Sequence, residues 1–152
     1  FTGETTNWKD VGGPDEDIVL VTRPTSSGTR ATFEKYALDG NEEASNASME
    51  TDDSGVLLQK VKDTKGAIGY VALSYLTRDP GVSTVSIDGV EPTLENTYSG
   101  DYPVWTYEHM YTNGAPNAVC DAFIKYIMSD EYGANMESLG YGMSSKMTVT
   151  EH

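Results

Sequence analysis

The run Ile18-Val19-Leu20-Val21 is continuously apolar and mostly β-branched, and a strand of that kind has to be covered on both faces. It therefore belongs in a sheet with helices packed against it. The next segments of the chain fit that demand. A small-residue loop runs from Thr22 to Gly28. Thr29 to Leu38 then carries Phe33, Tyr36 and Ala37 at helical spacing, with Gly40 as a stop. Ser54 is placed to cap a short helix with Val56, Leu57 and Val61 as core positions and an end near Gly66. Ala67 to Val71 is a second compact apolar strand, in which Gly69 permits close approach of another backbone or a ligand. Strands alternating with helices predict an α/β fold, a central mixed sheet flanked by helices. Sheets of this kind bind ligands at the carboxyl ends of their strands.

The remaining segments are read in the same way. Asn41 to Asp53 is polar and acidic, a surface connection. Val85-Ser86-Ile87 is a strand entering a turn at Asp88-Gly89, and Val104 to Tyr111 is a longer strand rich in aromatic residues. From Pro116 a helix carries Val119, Cys120, Phe123, Ile124, Ile127 and Met128 as one apolar stripe. Ser129, with Asp130 and Glu131 in the first turn, opens another helix that Gly140 closes.

Charge narrows the function. With 24 Asp and Glu against 10 Lys and Arg among 152 residues, the net charge of −14 argues against binding nucleic acid or anionic lipid, since both are held mainly by basic side chains. No apolar run reaches the roughly 18–20 residues of a membrane span. The single Cys120 excludes an internal disulfide and a cysteine-based zinc site. The opening Phe1-Thr2-Gly3, without Met or signal peptide, reads as an internal start in a longer protein.

One stretch departs from this acidity. Ile18 to Phe33 contains no Asp or Glu yet holds Arg23 and Arg30, two of the three arginines. A helix N-terminus carries about half a positive charge and ordinarily attracts acidic residues to its first turn. Here Arg30 occupies that turn and Arg23 precedes the loop, an arrangement that calls for an anion. Hydroxyls of Ser26, Ser27 and Thr29 and the amides of Ser27, Gly28 and Thr29 are the matching donors, and Gly28 has no Cβ to block approach. The planar fork of Arg23 suits a tetrahedral oxyanion. The same residues also suit an ordinary N-cap at Ser27 with solvated arginines, a reading that fits Arg30 least well.

These residues resemble the second lobe of the extracytoplasmic phosphate-binding proteins of high-affinity phosphate ABC importers, the Pst system. That family opens with F-x-G-x-x-x-x-W and continues to R-x-x-x-S-G-T. Here the opening is Phe1, Gly3 and Trp8, and the signature is Arg23 with Ser27-Gly28-Thr29. The likeness continues in order through residues 66–71, Asp88-Gly89-Val90, Tyr102-Pro103-Val104, Tyr111-Thr112-Asn113-Gly114 and Gly140-Tyr141-Gly142. It implies one lobe of a type II periplasmic-binding-protein fold, with the second lobe over about residues 1–105, a C-terminal strand and helices over 106–152, and a first lobe lying outside the chain. It further implies phosphate binding by Arg23, Ser27, Gly28 and Thr29, with Ser26 and Arg30 in second rank, and neither catalysis, metal nor cofactor. The implied partners are inorganic phosphate, the first lobe and the permease subunits. The implied location is the periplasm or cell surface, with a lipid anchor on a preceding segment. Two departures stand out. Ser26 replaces a common Gly, and Pro24-Thr25 replaces a segment that in many relatives includes an acidic partner for the arginine.

Other classes fit less of the chain. A serine hydrolase would use Ser26 or Ser27, but G-x-S-x-G is absent and His109 is the only internal histidine. Asp15-Glu16-Asp17 and Asp52-Asp53 lack calcium-loop spacing. A surface interaction or adhesion domain that keeps the oxyanion loop is the remaining alternative. Tyr102, Trp105 and Tyr107 are expected to pack in the core or against the first lobe.

Overall fold

In the computed structural model of the chain, residues 1–45, 49–77 and 81–150 are described. The core is a three-stranded sheet. Strand β1 (Val19–Thr22) lies between β2 (Met49–Glu50) and β3 (Ala67–Gly69), and both neighbours pair parallel to it. Val21 stands at the centre, opposite Met49 on one side and Gly69 on the other. It is fully buried, as is the adjoining Thr22 at 1% exposure, whereas Ile18, Val19 and Leu20 are only half-buried, so the run expected to be covered on both faces is fully covered at its carboxyl end alone.

Parallel strands need crossovers, and the two helical segments supply them. Helix α1 (Gly28–Ala37) joins β1 to β2, and α2 (Ser54–Asp63) joins β2 to β3. Helix α1 stops where Gly40 takes the left-handed backbone that the sequence reserves for it. Helix α2 is capped one residue earlier than expected. The Asp53 carboxylate accepts from the Val56 amide at 2.7 Å, leaving Ser54 as the first helical residue with its hydroxyl available elsewhere. Leu57 fills the space beneath the sheet at 1% exposure, whereas Val56, expected in the core, is 45% exposed on the opposite face. Gly69 is required for this packing: a Cβ there would sit 2.8 Å from Leu57 Cδ2 and 2.9 Å from the Val21 carbonyl oxygen.

The second half of the chain contains α3 (Leu94–Ser99), α4 (Ala118–Ile127) and α5 (Asp130–Ser138). Tyr98 ties α3 to the chain end. Its hydroxyl donates to Glu137 at 2.7 Å and accepts from the Met143 amide at 2.9 Å, while Lys146 grips the same carboxylate. The helix expected to start at Pro116 starts at Ala118, with Asn117 as its cap accepting from the amides of Val119 and Cys120; Ser129 caps α5 as its sequence predicts.

Two expected strands do not form. Val85 to Ile87 contributes only a bridge, Ile87 to Val90, closing the predicted turn in which Asp88 and Gly89 both have positive φ. Val104 to Tyr111 is irregular, because among the described residues no neighbouring strand pairs with it. A strand needs a partner for its amides and carbonyls, and aromatic content does not provide one. The apolar stripe of α4 is correspondingly bare, with Val119 78%, Phe123 59% and Met128 57% exposed.

Leu57→Ala is expected to destabilise the fold by about 2–5 kcal/mol, since it opens a cavity under the sheet. Val119→Ser is expected to stay within about 0.5 kcal/mol of the parent. Urea denaturation of the two variants checks the contrast.

Candidate functional site

The strand order β2-β1-β3 sends the chain from β1 to one side and then back across to the other. That reversal opens a crevice at the carboxyl ends of β1 and β3. Arg23 directly follows β1 there, Tyr70 directly follows β3, and α1 and α2 start at the same edge. Arg23, Ser26, Ser27, Gly28 and Thr29 are among the residues that line one open groove.

At the start of α1, Ser27 is the cap. Its Oγ accepts from the Arg30 amide at 3.3 Å, which leaves its own hydroxyl proton free to point elsewhere. Its backbone N–H is already committed to the Pro24 carbonyl at 2.9 Å, so the expected set of three open amides narrows to Gly28 and Thr29. Gly28 is exposed, and a Cβ there would meet nothing within 4 Å, so its value is an uncovered backbone rather than a tight fit. The first turn carries no acidic residue, which preserves the positive end of the helix. Ser26 is exposed at the rim.

The Arg23 side chain is 10% exposed and firmly held. Nη1 donates to Ser54 Oγ at 2.6 Å and Nη2 to the Asp52 carbonyl at 2.8 Å, with the exposed Asp52 carboxylate more distant at 3.5 Å. The local acidic partner that Pro24-Thr25 lacks is thus replaced from a different element, the turn before α2. Two of the five guanidinium N–H groups serve these main contacts, and the buried Nε has no hydrogen-bond partner.

Arg30 turns inward and reaches back across the loop. Its Nε donates to Glu34 at 2.9 Å, Nη1 donates to the Arg23 carbonyl at 2.9 Å, and Glu43 lies 3.8 Å from Nη1. The anion that Arg30 calls for is therefore supplied internally, by two carboxylates. Glu43 corrects the reading of Asn41 to Asp53 as a surface connection. Its side chain is wholly inaccessible, and neither carboxylate oxygen makes a well-formed hydrogen bond; residues 46–48 of that segment lie outside the described residues. Burial holds its carboxyl above the usual carboxylate range, outweighing the nearby Tyr70 hydroxyl and Arg30 guanidinium. Burial likewise pushes the Tyr70 hydroxyl well up, with Glu43 adding to the effect. Phe33 stacks on the Tyr70 ring at 4.3 Å and Phe1 closes edge-on against both, which keeps the cluster dry.

Asp52, Ser54, Tyr70 and Glu43 are not among the site residues that the sequence singles out. Tyr70 reads as the end of an apolar strand and Glu43 as one acid among many. The pairing of β1 with β2 brings Asp52 and Ser54 to Arg23, and its pairing with β3 brings Tyr70.

The chain is similar to several known proteins. The profile of the PBP superfamily domain matches residues 1–131. The chain is 47% identical over 151 residues to the phosphate-binding protein PstS of Bacillus subtilis, covering 99% of this chain and 49% of that protein. Among solved structures, one from Clostridium perfringens, described as a phosphate ABC transporter substrate-binding protein with bound phosphate, superposes with a TM-score of 0.82 at 35% identity, covering 92% of this chain and 57% of that one. An ABC-type phosphate transport receptor from Vibrio cholerae superposes with a TM-score of 0.70 at 26% identity, covering 94% and 59%. The chain spans about half the length of these relatives.

Because the folded state binds the Glu43 proton more tightly than an unfolded chain does, stability falls as pH rises from the ordinary carboxylate value of 4.5 through the higher folded value. Glu43→Gln is expected to remove that slope. The difference in unfolding free energy between parent and variant, measured across this acidic window, checks it.

Proposed function

The chain belongs to the PBP superfamily, and from that premise we propose that it is a phosphate-receiving lobe of a solute-binding protein serving a phosphate ABC importer. The observation that carries the reading is the groove at the end of β1. There a buried arginine with unused N–H groups, a capping serine with a free hydroxyl proton, and the first amides of an acid-free helix line the same space. Each is a hydrogen-bond donor, and together they suit a tetrahedral oxyanion. In this reading Arg23 supplies two-point electrostatic contact, Ser27 its hydroxyl, Gly28 its amide, and Thr29 its amide and hydroxyl. Ser26 and Arg30 stand behind them, Ser26 at the rim and Arg30 through the Arg23 carbonyl. The chain acts by binding, without catalysis or a cofactor.

The bare side of the molecule supports a division of labour between two lobes. The exposed stripe of α4, together with Tyr111 at 89% exposure and Met110 at 45%, is a surface suited to burial against another body. We assign residues 1–105 to the second lobe and 106–152 to a segment that packs on the first lobe. The first lobe is then the partner that completes the ligand shell. The permease subunits are the next partners along the transport route, with the protein outside the cytoplasm. Among the described residues, no helix is long and apolar enough to cross a membrane.

Half a shell binds weakly. Three or four charge-assisted contacts averaging about 2 kcal/mol each, set against an association cost of at least about 4 kcal/mol, leave about 4 kcal/mol or less, a millimolar dissociation constant or weaker. Calorimetric titration of this chain alone is expected to show weak oxyanion binding that does not separate phosphate from sulfate. Micromolar, sulfate-rejecting affinity would contradict the two-lobe reading. When the chain is joined to the first lobe, Arg23→Ala is expected to weaken phosphate binding by about 2–5 kcal/mol, the effect of truncating one side of a buried charged contact. Unchanged affinity would remove Arg23 from the site.

A further inference from the structure

We propose that Glu43 is a positioning residue for the oxyanion groove, holding the Arg23 peptide in place through Arg30 and Tyr70. The inference rests on the reading of Arg23 as a phosphate ligand. Arg23 is gripped on both sides of its own backbone by side chains. Its N–H donates to the Tyr70 hydroxyl at 3.2 Å, and its C=O accepts from Arg30 Nη1 at 2.9 Å. Tyr70 comes from the end of β3 and Arg30 from α1, so two separate elements are joined through one residue of the central strand's edge. Both side chains converge on Glu43, which lies 3.8 Å from Arg30 Nη1 and faces the Tyr70 hydroxyl.

A wholly buried carboxylate without a well-formed hydrogen bond is costly, and such a group persists where its charge orients its neighbours. Here the charge does two things. It attracts the Arg30 guanidinium, whose Nη1 also reaches the Arg23 carbonyl. It also draws the Tyr70 hydroxyl proton, which leaves the phenolic oxygen's lone pairs to accept from the Arg23 amide. With the peptide clamped, the guanidinium leaves β1 in one direction, toward Ser54 and the Asp52 carbonyl. The groups facing Glu43 are Arg30 and Glu34 on α1, Tyr70 after β3, and the amino group of Phe1 from the N-terminal segment. Of these, Glu34 opposes its ionisation, while Arg30, Tyr70 and the amino group favour it.

The test uses the full chain together with the first lobe, and compares Glu43→Gln, Tyr70→Phe, the double variant and Arg23→Ala. Hydrogen exchange at the Arg23 amide is expected to rise at least tenfold in each of the first two variants, with no further rise in the double variant because both act on one peptide. Affinity for inorganic phosphate is expected to fall at least fivefold in both. For Glu43→Gln the gap from the parent closes as pH drops and Glu43 becomes protonated, a dependence that a purely structural defect would not show. Tyr70→Phe removes a single hydroxyl and keeps the test informative if Glu43→Gln folds poorly. Unchanged Arg23 exchange and phosphate affinity in both single variants would overturn the proposal. Full phosphate affinity in Arg23→Ala would instead overturn the phosphate reading, and amide exchange would still decide whether Glu43 positions Arg23.

Discussion

A guanidinium that is nine-tenths buried has to be hydrogen-bonded and electrostatically balanced, and much of this fold is organised around meeting that demand at Arg23. Three separate elements contribute. The turn before α2 holds its terminal nitrogens, β3 delivers the tyrosine that accepts from its amide, and α1 delivers the arginine that donates to its carbonyl. None of these contacts is local in sequence except the last, in which Arg30 reaches back across the loop. They exist because β1 is the central strand, with parallel neighbours on both sides whose carboxyl ends lie at the same edge. The sheet is small, but its pairing order fixes which side chains meet.

The same arrangement reconciles a strongly acidic protein with the proposed oxyanion groove. A net charge of −14 is spread mainly over solvated residues, where water and salt screen each charge within about 10 Å. In the crevice the relevant field comes from close groups: an arginine with spare N–H groups and a helix N-terminus without acidic residues. The second arginine is occupied inside the protein by Glu34 and Glu43. Its positive charge at the head of α1 is thereby balanced without using up the amides of Gly28 and Thr29.

Legibility of the fold tracked the range of the forces involved. Helices α1, α2, α4 and α5 were readable because capping, periodicity and glycine stops act within a few residues. The Asp88-Gly89 turn was readable for the same reason, whereas the strands expected beside it were not, since pairing depends on distant partners. Val104 to Tyr111 has strand composition and no neighbouring strand among the described residues. The stripe on α4 is apolar as expected yet stands outside the core, because amphipathicity shows that a face needs covering without showing what covers it. Val56 and Leu57 are adjacent apolar residues, and only the packing of α2 under Val21 and Gly69 decides which of them is buried.

The candidate site divides along the same line. By itself the sequence determined the central strand, the acid-free loop and the helix start, so Arg23, Ser27, Gly28 and Thr29 stand as candidates on a contiguous stretch whose chemistry is local. The tertiary structure decided how those groups are held: Asp52 and Ser54 stand in for the acidic neighbour that Pro24-Thr25 lacks, Arg30 turns inward, and Glu43 lies buried instead of solvated. The physical reason is burial. A carboxylate in a polar segment reads as a surface charge until the strands around it remove its water, and after that its unmet demand governs the side chains it faces.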